Sequence, residues 1–361
     1  MSCLHAISCA ALLLVRPVPT QAQQAPAAAL HSVDSLFAAY DGTSTPGASV
    51  VVISNGGVVL NRSYGMADLE RRAPATDLTN YRLASVTKQF TATAVLLLVQ
   101  EGTLRLDQHV SEVLPGFPAY ARAVTIRHLL THTSGLPAYE DFVPDTQTVQ
   151  LKDRDVLALL NRADSMEFAP GSRYRYSNSG FVVLGLVVEA VTHHRFAAFL
   201  RERIFAPLHM DSTVAFEPAV SSVPRRAYGY TAVAGGFERT DQSATSGTLG
   251  DGGIYTSTHD LVAWNEAVDQ HILITPAAQA MAWAPSTLVD GTGTRYGFGW
   301  NTERVAQGLH VWHSGETRGF TNAIVKYPDR GVTVIVLTNR SGGDPLALAE
   351  TVAAMRWNDK R

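Results

Sequence analysis

The most informative stretch of the chain is Leu83-Ala84-Ser85-Val86-Thr87-Lys88-Gln89-Phe90-Thr91-Ala92-Thr93-Ala94-Val95-Leu96-Leu97-Leu98-Val99. It is apolar nearly all round, which predicts a helix buried inside the protein and not one that lies at its surface. Gly102 follows at a position suited to ending that helix. A chain of 361 residues with 46% hydrophobic and 17% charged residues can build the large core that such a helix needs.

Two polar residues near the start of this helix, Ser85 and Lys88, have i, i+3 spacing and share a face. Burying a lysine is costly unless the amine is partnered or neutral, and a desolvated lysine can take a proton from a nearby hydroxyl. Only four of the 29 basic residues are Lys, so a Lys within an apolar stretch is unusual in this chain. The pair predicts a serine nucleophile with a lysine base.

The two ends of the chain outside this helix are rich in β-forming residues. Four runs are joined in pairs by turn sequences: Ala48 to Ser54 and Val58 to Ser63 around Asn55-Gly56, and Phe320 to Lys326 and Val332 to Thr338 around residues 328–331. An amphipathic helix is expected at residues 30–40. The pattern predicts an α+β fold, with one antiparallel β-sheet built from both chain ends, flanked by helices, and an all-helical region inserted at roughly residues 100–250.

The first 22 residues are typical of an export signal, with an apolar run from Ala6 to Val15 and a small-residue cleavage site at Thr20-Gln21-Ala22. We therefore expect a periplasmic or secreted protein whose residues 23–361 form a single domain. Both cysteines, Cys3 and Cys9, lie in the signal, so the mature chain would have no disulfide, no cysteine nucleophile and no thiolate metal site. No later run predicts a stable membrane span.

Two further polar motifs lie far along the chain. Tyr176-Ser177-Asn178 follows a Pro-Gly loop and precedes an apolar helical run, so it is expected on a loop that enters a helix. A tyrosine there can lower its pKa beside a lysine and act as a base, and an asparagine can hold a substrate carbonyl. Trp312-His313-Ser314-Gly315 precedes the C-terminal hairpin and is expected on a strand, where Gly315 permits close backbone approach.

In this order, Ser85-x-x-Lys88, Tyr176-x-Asn178 and His313-x-Gly315 resemble the three motifs of the penicillin-recognising serine enzymes. The Tyr-x-Asn form is similar to the branch of class C β-lactamases and DD-peptidases. Four further segments are similar to that branch: residues 129–136, residues 204–210, Gly252-Gly253 to Ser257 with Asp260, and residues 296–300. The resemblance covers roughly residues 35–340 and implies a β-lactamase/transpeptidase-like fold with the site between the sheet and the helical region.

The resemblance also implies roles for individual residues. Ser85 would be the acylated nucleophile, and Lys88 and Tyr176 would shuttle its proton. The implied substrate-binding residues are Asn178, His313, Ser314, Gly315 and Glu316. The backbone N–H groups of Ser85 and Glu316 would form the oxyanion hole.

The sequence departs from the family pattern at two places near the third motif. Class C β-lactamases usually carry Lys where this chain has His313, and a histidine is largely neutral at pH 7 unless a neighbour shifts it. Glu316 adds a carboxylate beside the oxyanion hole, which would repel anionic substrates if it points inward and is not paired with Arg318. Both departures argue against efficient β-lactam turnover and leave acyl transfer intact.

The expected function is a secreted serine hydrolase that works through an acyl-enzyme on amide or ester bonds of a D-amino-acid peptide, a β-lactam or a short-chain ester. The alternative is an inactive relative that binds cell-wall peptides or a protein partner. A net charge of −3 argues against nucleic-acid binding. No cofactor is expected, and no metal, because His128 and His132 lack the intervening Glu of a zinc-binding helix. The sequence does not indicate an oligomeric state.

Overall fold

The structure, a computed structural model, describes residues 27–355 and residue 357. Its helices are α1 (Ala27–Leu36), α2 (Lys88–Gln100), α3 (Ile126–Leu130), α4 (Asp153–Leu160), α5 (Asn178–Thr192), α6 (Phe196–Leu200), α7 (Thr258–Asp269), α8 (Pro276–Trp283) and α9 (Pro345–Ala354). Its strands are β1 (Ala48–Ser54), β2 (Gly57–Tyr64), β3 (Met66–Asp68), β4 (Ala73–Pro74), β5 (Tyr81–Arg82), β6 (Val214–Ala215), β7 (Tyr230–Val233), β8 (Gly236–Arg239), β9 (Ile254–Thr256), β10 (Asn301–Val305), β11 (Gly308–Thr317), β12 (Phe320–Tyr327) and β13 (Val332–Thr338).

The main sheet has six antiparallel strands in the order β10-β11-β12-β13-β1-β2, so strands from the two chain ends meet where β13 pairs with β1. This confirms the predicted sheet. The β1–β2 turn has φ +48 at Asn55 and +79 at Gly56, as an Asn-Gly hairpin turn requires. The β12–β13 turn ends on Gly331 at φ +62.

Helices cover both faces of this sheet because both faces are apolar. Alternate residues of β1 point to opposite sides, with Val50 in the cluster that packs against α1 and α9, and Val51 in the large cluster formed with the inserted region. The predicted first helix is real but ends early: α1 stops at Leu36 and a 3₁₀ turn follows at Ala38–Tyr40. Val33, Phe37 and Tyr40 are buried together against the sheet, as the pattern indicated.

The inserted region is not all-helical, which corrects the prediction. Within residues 100–250 it contains β6, which pairs with β9 in the three-stranded sheet β5-β9-β6, and the hairpin β7–β8, besides helices α3 to α6. These strands have two to four residues each, too short to show a period of two in the sequence. Strand β5 directly precedes the Ser85 segment in the chain, and the N–H of Leu83, which lies between them, donates to Ile254 O of β9 at 2.8 Å.

The apolar helix begins later than predicted. A 3₁₀ turn covers Ala84–Thr87, and α2 starts at Lys88. Ala84 has φ +50, a left-handed conformation that costs a residue with a β-carbon about 1 kcal/mol or more and breaks the regular helix at this point. The strained residue immediately precedes Ser85. Gly102 has φ +72 just after Glu101, the residue that follows α2, as expected for a helix stop.

The predicted signal segment, residues 1–22 with Cys3 and Cys9, lies outside the described residues. Within residues 27–355, no single helix is both long and apolar enough to cross a membrane; Asn178–Thr192 and Phe196–Leu208 meet that requirement only as a pair bent by 82°.

Candidate active site

Ser85 and Lys88 are in direct contact. The Lys88 Nζ lies 2.9 Å from Ser85 Oγ, 2.8 Å from Asn178 Oδ1 and 2.9 Å from the backbone oxygen of Asp251. These three acceptors match the three protons of an ammonium group. The amine is therefore fixed in position by three separate parts of the chain, and it touches the predicted nucleophile.

Lys88 is fully buried, and burial lowers the pKa of its amine from 10.5 to about 8. The carboxylates of Asp251 and Glu140 oppose this effect, because a nearby negative charge favours the protonated amine. A pKa about one unit above neutrality allows the amine to give up its proton at working pH and then accept one from Ser85.

Tyr176 lies beside the same pair. Its ring centroid is 4.9 Å from Lys88 Nζ, and its hydroxyl interacts with Ser85. The expectation that this tyrosine has a lowered pKa was wrong: burial raises the pKa of its phenol, and the hydrogen bond from Ser85 offsets this only in part. The side chain is 39% exposed, so water moderates the shift, but the phenol is neutral at pH 7 in either case.

Asn178 joins Lys88 to an acid that the sequence did not reveal. Its Nδ2 donates to Glu140 Oε1 at 2.8 Å, while its Oδ1 accepts from Lys88. The two partners fix the amide orientation, because an ammonium only donates and a carboxylate only accepts. One Nδ2 proton is left for a substrate. Burial raises the pKa of Glu140, and the Asn178 hydrogen bond counteracts that rise.

His313 is close to Tyr176 but has no nitrogen free for a substrate. Its Nδ1–H donates to Ser314 O at 2.6 Å, so Nε2 accepts from the Tyr296 hydroxyl at 2.9 Å. The ring is 2% exposed, and burial, with a smaller contribution from the Lys88 charge, lowers its pKa to about 3. The expected neutral histidine is confirmed, and this geometry opposes the predicted direct contact with substrate.

A second buried imidazole, His132, lies on the other side of the cluster. Its Nδ1 accepts from the Ser177 N–H at 3.1 Å, which ties the Tyr176 loop to the segment after α3. Its ring centroid is 4.2 Å from that of Tyr176 and 4.4 Å from that of Tyr296. Burial, and then the Lys88 charge, lowers the pKa of His132. These contacts indicate a supporting role for His132.

Strand β11 approaches the Ser85 turn as closely as backbone allows. A β-carbon on Gly315 would lie 2.2 Å from Leu83 O and 3.1 Å from Ser85 N, so only glycine fits. The Thr302 N–H of β10 donates to Arg295 O and therefore not to β11. The hydrogen bonds that join β10 to β11 are thus made by Trp312 and by every second residue along β11 from it. The Glu316 N–H therefore points to the same edge of β11 as the Trp312 N–H. Strand β10 starts at Asn301, opposite Trp312, and leaves this edge open at Glu316.

The side chain of Glu316 does not enter the space between β11 and Ser85. Residues two apart share a face, so Glu316 lies on the face of Trp312 and Ser314, opposite to that of His313 and Gly315. Glu316 is exposed to solvent. Among the described residues no ion pair joins it to Arg318. The repulsion expected from an inward-pointing carboxylate therefore does not apply.

The structure thus brings together Ser85, Lys88, Tyr176, Asn178, His313 and Gly315 from three separate segments of the chain. It adds two acids, Glu140 and Asp251, that sequence reasoning missed. Their only signal was position, since Glu140 follows residues 129–136 and Asp251 precedes Gly252-Gly253. Within the described part of the chain, no group of three or more His, Cys, Asp or Glu side chains could hold a metal ion.

Comparison with known proteins agrees with this arrangement. The family model described as Beta-lactamase matches residues 33–355. Penicillin-binding protein 4* of Bacillus subtilis (strain 168) is 32% identical over 307 residues, which cover 81% of this chain and 68% of that protein. The solved structure of a penicillin-binding protein from Bacillus halodurans is 27% identical with a TM-score of 0.77, covering 90% of this chain and 98% of that one.

D-amino acid amidase from Ochrobactrum anthropi SV3, solved with L-phenylalanine amide, is a further structural relative. It is 25% identical with a TM-score of 0.75, and the match covers 90% of this chain and 94% of that one. Sequence, fold and relatives agree, and the chain belongs to the β-lactamase family of serine hydrolases.

Proposed function

We propose that the protein hydrolyses amide or ester bonds through an acyl-enzyme on Ser85, with substrates that carry an amine, not a carboxylate, near the scissile bond. The observation that carries the reaction class is the 2.9 Å contact between Ser85 Oγ and the fully buried Lys88 Nζ. A buried amine with a pKa of about 8 is suited to accepting the serine proton.

In the proposed acylation step, neutral Lys88 takes the Ser85 Oγ proton as Oγ bonds to the substrate carbonyl carbon. The carbonyl oxygen, now negative, is held by the backbone N–H groups of Ser85 and Glu316. When the carbon–nitrogen or carbon–oxygen bond breaks, the leaving group receives the proton from Lys88 through the neutral Tyr176 hydroxyl. Water then attacks the ester, and the same groups return the proton to Ser85.

The charges around Ser85 support the amine preference. His313 is neutral and buried, so it supplies no cation for a substrate carboxylate. All three Lys88 protons already have protein acceptors. Glu140 is hydrogen-bonded to Asn178, the residue expected to hold the substrate. Burial disfavours the charged form of Glu140, and a substrate ammonium nearby would favour that form again.

A substrate pair that differs in one charge tests this proposal. D-alanine p-nitroanilide has a free amine, and its N-acetyl derivative does not. The Glu140→Gln variant should lower kcat/KM for the free amine roughly fivefold, about 1 kcal/mol for a half-buried ion pair, and change the acetylated substrate little. Glu316→Gln is the matched control, because that carboxylate is exposed on the other face of β11.

Two results would count against the proposal. Equal losses on both substrates in Glu140→Gln would show that Glu140 only supports Asn178. Efficient hydrolysis of nitrocefin, which carries a carboxylate, would refute the electrostatic argument for substrate choice. A complete absence of acylation at Ser85 with every substrate would instead favour the inactive binding protein.

We also propose that the enzyme acts outside the cytoplasm after removal of residues 1–22. The support is the apolar run and the small-residue cleavage site in the sequence. N-terminal sequencing of the protein recovered from the periplasm or medium tests this, and recovery of the intact N-terminus from the cytoplasm alone would contradict it.

A further inference from the structure

Asp251 carries a buried carboxylate that the reaction described above does not use. It lies between the 3₁₀ turn at Ala244–Gly247 and β9, and its backbone oxygen is the third acceptor of Lys88. The preceding residue, Gly250, accepts from Thr91 Oγ1 at 2.7 Å, and a β-carbon there would lie 2.2 Å from Phe181 O. The segment is therefore held between α2 and α5, which fixes the backbone that carries Asp251.

The carboxylate is poorly satisfied by the protein around it. Asp251 is 7% exposed, and within the described part of the chain its Oδ1 has no hydrogen-bond partner. Its Oδ2 has one long contact, 3.5 Å from the Tyr139 hydroxyl. A buried carboxylate with so few partners is costly unless a nearby positive charge compensates it. Asp251 makes no ion pair among the described residues, and it is the charged group that acts most strongly on Lys88.

Several titratable side chains face Lys88 from the elements packed around it: Tyr176 from the loop before α5, Glu140 from the 3₁₀ turn Tyr139–Phe142, Asp251 from the loop before β9, His132 from the loop after α3, and His313 from β11. Burial keeps both imidazoles neutral, and Tyr176 is a neutral phenol. Only Asp251 and Glu140 can therefore supply negative charge to the amine.

We propose that the Asp251 side chain is a positioning residue of the acylation step: its buried carboxylate holds Lys88 in the protonated, Ser85-bound state at rest and so sets the pH at which Ser85 becomes nucleophilic. This inference rests on the proposed function, because it assigns a role within the same reaction. It concerns the side chain only, since any residue at this position would supply the backbone oxygen that Lys88 contacts.

The Asp251→Asn variant keeps the shape of the side chain and removes its charge. Lys88 should then lose its proton at lower pH. If the pKa of Lys88 falls by half a unit from about 8, the neutral fraction of its amine at pH 7 rises from about 9% to about 24%. Labelling of Ser85 by an uncharged fluorophosphonate should then be about 2.5-fold faster. Asp153→Asn is the control: Asp153 Oδ1 accepts the Leu249 N–H nearby but is not among the charges that act on Lys88.

A readout that is independent of activity separates this inference from the proposed function. The chain has only four lysines, so ¹³C labelling at lysine Cε gives few NMR signals, and Lys88→Arg assigns the relevant one. Its titration midpoint should lie near pH 8 in the wild type and at least half a unit lower in Asp251→Asn. The low-pH limb of the pH profile for Ser85 labelling should move by the same amount.

The proposal would be overturned if the titration midpoint of Lys88 did not change in Asp251→Asn. It would also be overturned if Ser85 were labelled more slowly at every pH with no shift of the pH profile. Either result would leave Asp251 a structural residue. If Asp251→Asn does not fold, the Asp251→Ser variant is tested with the same two measurements. If both variants are unfolded at pH 7, Asp251 has a structural role and the proposal is wrong. Failure of wild-type Ser85 to be labelled would refute the proposed function, while the NMR titration would still report on Asp251.

Discussion

Burial of Lys88 makes the stability of the protein depend on pH in a way that one substitution isolates. The pKa of Lys88 falls from 10.5 in the unfolded chain to about 8 in the native one. Below pH 8 both states hold the proton, and the cost of burying the charge is fully present. Between pH 8 and 10.5 the native state has released the proton and the unfolded state has not, so the native state gains stability as the pH rises.

The size of this effect follows from the shift. A difference of about 2.5 pKa units corresponds to about 3.4 kcal/mol over the whole range. Between pH 7 and pH 9.5, integration of the proton-binding difference gives about 2 kcal/mol. The figure applies without a discount for solvent screening, because no part of the Lys88 side chain is exposed.

Lys88→Met keeps the length of the side chain and removes the titrating group. The free energy of unfolding in urea should be measured at pH 7, 8 and 9.5 for the wild type and for the variant. The difference between them should move by about 2 kcal/mol in favour of the wild type as the pH rises, because titrating groups distant from Lys88 contribute equally to both proteins.

Lys152→Met provides the control, since Lys152 is exposed and its removal should leave the difference flat. A difference for Lys88→Met that also stays constant within about 0.5 kcal/mol would show that Lys88 is not desolvated in the native state. That result would remove the physical basis for its role as a base.

Three further outcomes are expected. Ser85→Ala should lose turnover by several orders of magnitude without a change in fold, and a fluorophosphonate should add its mass at Ser85 alone; labelling elsewhere would contradict the mechanism. Lys88→Arg should be nearly as inactive as Lys88→Ala, because a guanidinium keeps its proton; more than about a tenth of the wild-type rate, a barrier difference under ~1.4 kcal/mol, would point to a charge partner instead. Glu316→Gln should change kcat/KM for carboxylate-bearing substrates less than twofold, since this side chain is exposed; a fivefold gain would mean that it does reach the substrate.

Local rules explain what the sequence could predict. The β1–β2 and β12–β13 hairpins follow from runs of β-forming residues around turn residues, and both form as expected. The Ser85 and Lys88 contact follows from helical spacing alone, even though the turn that carries it is 3₁₀ and not α. Tyr176-Ser177-Asn178 enters α5 as expected, with the Ser177 side chain accepting from Gly180 N at the start of the helix.

Long-range contacts explain what the sequence could not predict. Asp251 and Lys88 are 163 residues apart, and nothing local marks one loop aspartate as buried. The Tyr176 pKa depends on how much solvent the folded cluster excludes, so the sign of its shift could not be read from residue types. The neutrality of His313 follows first from its burial in the folded cluster, and its tautomer follows from the partners of its two nitrogens, Ser314 O and the Tyr296 hydroxyl.

The neutral His313 and the two carboxylates near Lys88 change the charge of the site in the same direction. A lysine in place of His313 would bring a second cation towards Lys88, and like charges lower each other's pKa. This chain has a neutral imidazole there instead, and it places the carboxylates of Asp251 and Glu140 on the other sides of Lys88. The absence of a second cation and the presence of the two carboxylates both make the site more negative and favour the protonated form of Lys88. In the reaction that we propose, the same charges that keep Lys88 protonated near neutral pH would also disfavour a substrate carboxylate and favour an ammonium.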